Sequence, residues 1–280
     1  MKIGLIGNGF VGNAVYENLK RTYPFCVYDK NPAKANVDNV RDVCHNAKII
    51  FVALPTPMES SGRCDLSIIF GVMNEIACWY DDNIVILKST VPPGTCERIK
   101  KVHPKLRLVF SPEFLTEANY IEDFKNCNRM IFGGDIEDTS ECVKVLSAVF
   151  PDKSYLMTDL KTAEMVKYFI NTFLAVKVSF ANEMKQICDT VDLDYDDVKR
   201  LALYDTRIGK SHLMVPGPDG NLGFGGTCFP KDINALMFFA QENGIDPLLL
   251  RSAWDKNLEV REEKDWLTMF GRAVSAKESA

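Results

Sequence analysis

MKIGLIGNGFVGNAVYENL, Met1 to Leu19, is the stretch that decides the fold. Lys2–Ile6 is a short apolar run of strand type, and helical periodicity follows over Gly12–Thr22. Between them GNGFVG, Gly7 to Gly12, matches G-x-G-x-x-G. Such a loop needs glycine for a tight turn, for close approach of backbone to a pyrophosphate, and for close packing of helix on strand. The helix N-terminus adds backbone N–H groups and the positive end of a dipole. Gly7, Asn8, Gly9, Phe10, Val11 and Gly12 are therefore the expected cradle of a dinucleotide phosphate.

The next apolar run, Phe25–Tyr28, ends at Asp29, 17 residues beyond Gly12. A carboxylate there can hydrogen-bond a ribose diol and would repel a 2′-phosphate, which favours NAD over NADP. FAD uses the same fingerprint, but 280 residues are few for a flavin domain plus a substrate domain.

Working outward, the first half alternates apolar runs with amphipathic stretches. Expected strands are Lys2–Ile6, Phe25–Tyr28, Lys48–Leu54, Asn83–Leu87, Arg107–Phe110 and Met130–Phe132. Helical patterns include Leu66–Trp79 and Ser140–Phe150. This alternation, with near-continuous Val/Ile/Leu strands, predicts an α/β fold: a doubly wound parallel sheet of Rossmann type with helices on both faces. The NAD-binding domain is expected to occupy residues 1–155 and an all-helical domain residues 156–280. After Tyr155–Met157 the strand signals fade. Thr162–Asp189 reads as one long helix with apolar positions Met165, Val166, Phe169, Ile170, Phe173 and Leu174. Tyr195–Leu203, Asp232–Glu242 and Pro247–Met269 follow as helices. VPGPDGNLGFGG, Val215 to Gly226, reads as a loop, and the last eight residues, AVSAKESA, as a frayed tail.

Composition bounds the function. The 33 Lys+Arg against 38 Asp+Glu give a net charge of −5, which argues against nucleic acid as a partner. Nine cysteines, odd in number, irregularly spaced and without a C-x-x-C pair, fit a reducing compartment better than a disulfide framework. Three histidines and unclustered thiols argue against a metal site. The most apolar stretch, Val166–Phe180, is interrupted by Lys167, Asn171 and Lys177, so no membrane span is expected. The N-terminus has no signal-peptide pattern, and the expected location is the cytoplasm.

Five further segments carry chemistry: LPTP (Leu54–Pro57), KSTVPPGT (Lys88–Thr95), SPEFLTEANY (Ser111–Tyr120), MVKYFINTFLAVKVSFANE (Met165–Glu183) and GFGGTCFPKD (Gly223–Asp232). The first three follow expected strands at their carboxyl ends, the edge where open α/β sheets bind ligands. Lys167 and Asn171, spaced i,i+4, share one helical face and interrupt an otherwise apolar pattern, which suits a polar cavity. With the Gly7–Gly12 loop, these motifs in order resemble the UDP-glucose/GDP-mannose dehydrogenase family from Met1 to about Leu258.

The resemblance implies an N-terminal Rossmann domain and a helical domain like that of 6-phosphogluconate dehydrogenase. It also implies NAD-dependent, four-electron oxidation of a nucleotide-sugar primary alcohol, with UDP-glucose going to UDP-glucuronate. Such an oxidation passes through an aldehyde. Cys228 would capture it as a thiohemiacetal, and its oxidation leaves a thioester for hydrolysis. Lys231, three residues on, can help lower the thiol pKa. By resemblance Lys167 and Asn171 stabilise the developing oxyanions. Thr90, Glu117 and Asp232 handle protons through a water, with Glu117 expected in thioester hydrolysis and Asp232 as a candidate base; Glu113 matches an acid near the thioester. Lys34, Thr56, Ser89, Thr90, Glu117 and Lys231 match cofactor contacts. Phe114, Leu115, Phe224 and Gly225 match substrate contacts, and Arg207 in DTRIGK an arginine reaching across a homodimer interface. The dimer axis is expected along the helix at 247–269.

Family members carry a third, C-terminal domain that closes over the UDP moiety, and this sequence is shorter by about 100 residues or more. The nucleotide is then expected to be held by the dimer partner or by the loop at 209–222, with a separate polypeptide or a different sugar as alternatives. Two other functions remain open: a two-electron β-hydroxyacid dehydrogenase, which needs no thiol, and a non-catalytic NAD-binding module.

Overall fold

The computed structural model describes residues 1–275, which form two compact units. The first comprises Met1–Thr56 and Leu66–Lys167, and the second Pro57–Asp65 with the chain from Tyr168 onward.

In the first unit strands β1 (Ile3–Ile6), β2 (Phe25–Tyr28), β3 (Ile49–Val52), β4 (Ile84–Leu87), β5 (Arg107–Phe110), β6 (Arg129–Gly133) and β7 (Ser154–Thr158) form one sheet in the order β2-β1-β3-β4-β5-β6-β7. The register places Ile3 beside both Phe25 and Ile49, and Ile49 beside Ile84. Every residue of β1, β3 and β4 is buried, as apolar runs without polar alternation require.

Helices α1 (Phe10–Leu19), α2 (Val40–Asn46), α3 (Ser67–Trp79), α4 (Thr95–Val102), α5 (Tyr120–Asn126) and α6 (Ile136–Ser147) connect the strands. The period-2 alternation divides the core. Ile50, Val52, Val85 and Leu87 face a cluster with Val43 of α2, Met73 of α3 and Ile99 of α4. Ile49, Phe51, Ile84 and Ile86 face a second cluster with Val15 of α1, Phe124 of α5 and Leu146 of α6. Each such side chain taken from water contributes roughly 1.5–3 kcal/mol, so both sheet faces must be covered.

The sheet departs from all-parallel at one place. β5 meets β6 antiparallel, through Phe110 opposite Gly133, while β6 and β7 run parallel to each other. Gly133 is obligatory there: a Cβ would lie 2.6 Å from both the Ala163 Cβ and the Asp159 carbonyl oxygen. The helices α2, α4 and α5, of seven or eight residues each, are too short for their periodicity to stand out in the sequence.

Helix α7 (Leu160–Thr190), 31 residues and about 46 Å long, begins in the first unit and continues into the second. Its expected apolar face is largely inverted. Phe169 and Phe173 are exposed, at 68% and 55%. Tyr168, Asn171, Thr172, Ser179 and Asn182 are buried instead. A hydropathy pattern cannot anticipate this, because Asn171, Ser179 and Asn182 find partners distant in sequence, in Asp232, Ala253 and Gly223, while Thr172 bonds back to the Tyr168 carbonyl of its own helix.

The second unit adds α8 (Tyr195–Ala202), α9 (Phe229–Glu242) and α10 (Leu248–Val260). Its cores gather Ala181, Tyr195 and Val215 in one cluster, and Ala175, Phe224, Ile233 and Ala253 in another. The helix expected over Pro247–Met269 stops at Val260. Arg261 takes extended backbone dihedrals, and a 3₁₀ turn at Asp265–Thr268 brings Trp266 against Trp254 with ring centroids 5.5 Å apart.

The expected tail is also corrected at its start. Ala273 is fully buried, and the Ser275 N–H donates to the Met58 carbonyl at 2.9 Å. Residues 276–280 of that expected tail lie outside the described residues. The segment Pro57–Asp65 is a small hairpin: Met58 bridges Cys64 and also Val274, and Gly62 turns with φ +88°. Among the described residues, no helix is long and apolar enough to cross a membrane.

Candidate active site

The Gly7–Gly12 loop connects β1 to α1. Gly7 has φ +89°, and a Cβ there would sit 2.3 Å from the Ala53 carbonyl oxygen. At Gly12 a Cβ would lie 2.0 Å from the Gly7 carbonyl oxygen. Gly9, the N-cap of α1, is different: a Cβ there would meet nothing within 4 Å. The first and third glycines close the loop on itself, and the second leaves space at the helix N-terminus. That space suits a phosphate group.

Asp29 ends β2 beside this opening. Its Oδ2 accepts the Asn8 N–H at 2.6 Å and its Oδ1 the Asn31 N–H at 2.8 Å, which fixes the carboxylate. Asn8 Nδ2 in turn donates to the Lys34 carbonyl at 2.9 Å, while Lys34 is exposed. Phe10 and Val11 are half-buried in the first turn of α1. The donor set, the open position and the fixed carboxylate fit a dinucleotide.

The loops after β3 and β4 are tied together. Ser89 Oγ accepts the Leu54 N–H at 2.8 Å, and Thr56 Oγ1 donates to the Thr90 carbonyl at 2.8 Å. Thr56, Ser89 and Thr90 are all buried.

The loop after β5 carries a buried ion pair. Lys167 Nζ donates to Glu113 Oε1 at 2.9 Å and to the Glu113 carbonyl at 2.7 Å. Burial pushes the Glu113 carboxyl up, but Lys167 and the Leu115 N–H outweigh it and hold the group below its usual range. Lys88 is buried on the other side, donating to Ser111 Oγ at 3.1 Å, and burial pushes its ammonium down to about 8 against the opposing pull of Glu113. The Phe114 ring lies 5.5 Å from the Lys167 ammonium, a cation–π distance, and Leu115 is half-buried next to it. Glu117 lies exposed in the turn before α5.

In the second unit Cys228 is the N-cap of α9, with Pro230 in the first turn. Asp232 is buried one turn on. Its Oδ2 accepts from Asn171 Nδ2 at 2.6 Å and its Oδ1 from Lys231 Nζ at 2.5 Å. Burial lowers the Lys231 pKa, but Asp232 and then Cys228 and Cys64 more than reverse this, and the ammonium is held above its ordinary value. The Lys231 ammonium and the N-terminus of α9 both lie beside Cys228. Six of the nine cysteines are buried, and burial pushes Cys44 and Cys142 up to about 12. Cys228 is half-buried.

Two expected substrate contacts stand differently. Phe224 is buried against Phe229 and Trp254, and both its backbone groups engage Asn257: its N–H donates to Oδ1 at 2.6 Å, and its carbonyl accepts from Nδ2 at 3.0 Å. It anchors the loop, whereas Gly225 next to it is half-buried. Arg207 is exposed and folds back on Asp205 of its own chain at 2.5 Å. Sequence reasoning missed Lys88, Glu164, Asn257, Arg261 and Asp265. Lys88 alone carried a signal, as a charge at the end of the apolar run Ile84–Leu87.

Over 225 residues the chain is 37% identical to a putative UDP-glucose 6-dehydrogenase of Bacillus subtilis, covering 76% of this chain and 51% of that protein. It is 34% identical to a UDP-glucose 6-dehydrogenase of Rickettsia bellii over 221 residues, 76% of this chain and 50% of that one. The chain thus spans about half the length of the curated relatives it matches. A UDP-glucose dehydrogenase structure from Pyrobaculum islandicum superposes with a TM-score of 0.82 at 26% identity, over 92% of this chain and 68% of that one. A 3-hydroxyisobutyrate dehydrogenase structure from Mycobacterium tuberculosis, 16% identical, shares the fold with a TM-score of 0.74 over 92% of each chain. Residues 26–151 match the NAD binding domain, and residues 161–259 the central domain, of one family. The chain belongs to the UDP-glucose/GDP-mannose dehydrogenase family.

Proposed function

We propose that the protein catalyses NAD-dependent, four-electron oxidation of the C6 primary alcohol of a nucleotide sugar, with UDP-glucose as substrate and UDP-glucuronate as product. The observation that carries this reading is Cys228 at the N-terminus of α9, with Lys231 and Asp232 in the first turn and Asn171 on Asp232. A two-electron alcohol dehydrogenase has no use for a thiol so placed.

NAD, when bound, supplies the hydride acceptor for both two-electron steps. Gly7–Gly12 and Asp29 would hold it, with Lys34, Thr56, Ser89, Thr90, Glu117 and Lys231 as further contacts. Cys228 adds through Sγ to the aldehyde carbon, and its thiohemiacetal is the species oxidised to the thioester. Water then attacks the thioester carbon, the C–S bond breaks and the thiolate returns. Asn171 and Lys167 stabilise the oxyanions. A donor of this kind contributes about 3–4 kcal/mol. Asp232, with Thr90 and Glu117, positions the water and takes its proton, while Glu113 holds Lys167. Phe114, Leu115 and Gly225 contact the sugar and phosphates.

We also place the protein in the cytoplasm as a homodimer. The exposed Phe169, Phe173 and Phe180 of α7, and the exposed Leu248 and Leu249 at the start of α10, support a second copy as their cover. Light scattering showing a monomer at micromolar concentration would remove that element.

The deciding experiment follows NADH to completion with limiting UDP-glucose. Two NADH per sugar is the expected result. One NADH with a β-hydroxyacid, and none with UDP-glucose, favours the alternative that the shared fold with 3-hydroxyisobutyrate dehydrogenase raises. NAD binding without turnover on any nucleotide sugar points to a binding module.

A further inference from the structure

The GFGGTCFPKD loop is held by side chains on three later or earlier elements of its own unit. Asn182 Oδ1 of α7 accepts the Gly223 N–H at 3.2 Å. Asn257 of α10 takes both backbone groups of Phe224. Asp265 Oδ2, in the 3₁₀ turn, accepts the Gly226 N–H at 2.9 Å. Arg261 joins these. Its Nη2 donates to Asp219 Oδ2 at 2.8 Å and to Asp265 Oδ1 at 3.2 Å, and its Nη1 to the Leu222 carbonyl at 3.4 Å. Arg261 is only 3% exposed.

A buried guanidinium is a costly way to stabilise a fold, since its desolvation offsets most of the attraction it gains. It does define geometry. The clamp lies so close that a Cβ at Gly225 would sit 2.2 Å from Asp265 Oδ1 and 2.3 Å from Arg261 Nη2, and a Cβ at Gly223 would sit 2.4 Å from Asn257 Oδ1. Gly226, bonded to Asp265, lies two residues before Cys228. Arg261 and Asp265 both fall beyond residue 259, where the family match ends.

We propose that the Asp219–Arg261–Asp265 chain is a positioning device for the nucleophile: it fixes the Gly223–Gly226 backbone so that Cys228 sits at the N-terminus of α9 with its sulfur poised. This rests on the reading of Cys228 as the nucleophile, and the test does not require that the substrate be UDP-glucose.

The test measures the rate of Cys228 alkylation by iodoacetamide across pH, with the modified peptide identified by mass spectrometry. In Asp265→Ala the Cys228 rate at neutral pH is expected to fall about tenfold and its pH midpoint to move upward, because a sulfur displaced from the N-terminus of α9 and from Lys231 loses the positive charge that supports its thiolate. The rate at exposed Cys78 stays as in the parent. Asp265→Asn, which keeps an acceptor for the Gly226 N–H, is expected to recover to within about threefold of the parent. NADH affinity, read by fluorescence, stays unchanged in both. An unchanged Cys228 profile in Asp265→Ala overturns the proposal. Should that variant not fold, Asp219→Asn at the half-exposed end of the chain decides: about a threefold fall is expected, and a parental profile overturns the idea. Failure of the function proposed above is seen separately, as absent turnover in the parent with an intact, reactive Cys228.

Discussion

The protein contains two glycine-rich loops that each open a helix, and they are built on opposite principles. In Gly7–Gly12 the nearest contacts are backbone oxygens of the motif itself or of the loop after β3: Gly12 against Gly7, and Gly7 against Ala53, with Gly9 left open. In Gly223–Gly226 the close contacts are side chains from α10 and beyond, Asn257, Arg261 and Asp265. The first loop is shaped to receive something and the second to be held still. A cradle needs vacant space at the helix end. A covalent nucleophile needs a fixed approach angle.

The sharpest way to break this comparison is Cys228→Ala. On the proposed mechanism, in which the thiol holds the aldehyde, it is expected to cut NADH formation on the order of a thousandfold, while NADH titration remains normal. Equal losses in turnover and NADH affinity would mean that the two loops do not divide the work.

Gly94 supplies a third case, a helix start held by a carboxylate. The N–H groups of Gly94 and Cys96 donate to Glu164 Oε2 and Oε1 at 2.5 and 2.7 Å. Burial pushes the Glu164 carboxyl up from 4.5 to about 7, although the Cys96 and Gly94 contacts oppose it. A raised folded-state pKa means that the native protein binds the proton more tightly than the unfolded chain. The stability this contributes is full below about pH 4.5 and is lost as pH rises to about 7, an effect on the order of 3 kcal/mol. Urea melts across that window should show a slope that Glu164→Gln flattens; an unchanged slope would assign the pH dependence elsewhere.

Gly12→Ala sets a Cβ 2.0 Å from a backbone oxygen that has little freedom to yield. NADH affinity is expected to fall about 100-fold, or about 3 kcal/mol, as read by fluorescence titration. Gly225→Ala collides with side chains instead, so turnover is expected to fall about tenfold with NADH affinity unchanged. Gly9→Ala sharpens the contrast most finely. Its Cβ meets nothing within 4 Å, so the urea midpoint should shift by less than about 0.5 kcal/mol equivalent while NADH binding weakens.

The same contrast explains what could be read from the amino-acid sequence. Gly7–Gly12 is legible because its constraints are local, and Phe25–Tyr28 and Arg107–Phe110 are strands with the bounds that their apolar runs suggest. Glu113 and Lys167 stand out as motif residues, but their ion pair spans 54 positions and leaves no periodic trace. Arg261 and Asp265 fall inside the helix expected over Pro247–Met269, and their partners Asp219 and Gly226 lie about 40 positions away, so the sequence pattern carries no sign of the clamp. Helix α7 defeats hydropathy for a related reason. Its polar residues point inward to partners such as Asp232, 61 positions from Asn171, and its phenylalanines point outward.

The hairpin Pro57–Asp65 has a consequence for how this protein can be divided. It lies in the chain between β3 and α3 of the first unit, yet it belongs to the second, where it hydrogen-bonds to Ala273 and Ser275. The polypeptide therefore passes from one unit to the other three times, and no single cleavage point separates them. A gene fragment ending near residue 155 would carry away an element its neighbour needs, leaving the Met58 backbone without the Ala273 and Ser275 groups it pairs with. Modular recombination of these units has to transplant the hairpin along with the helices.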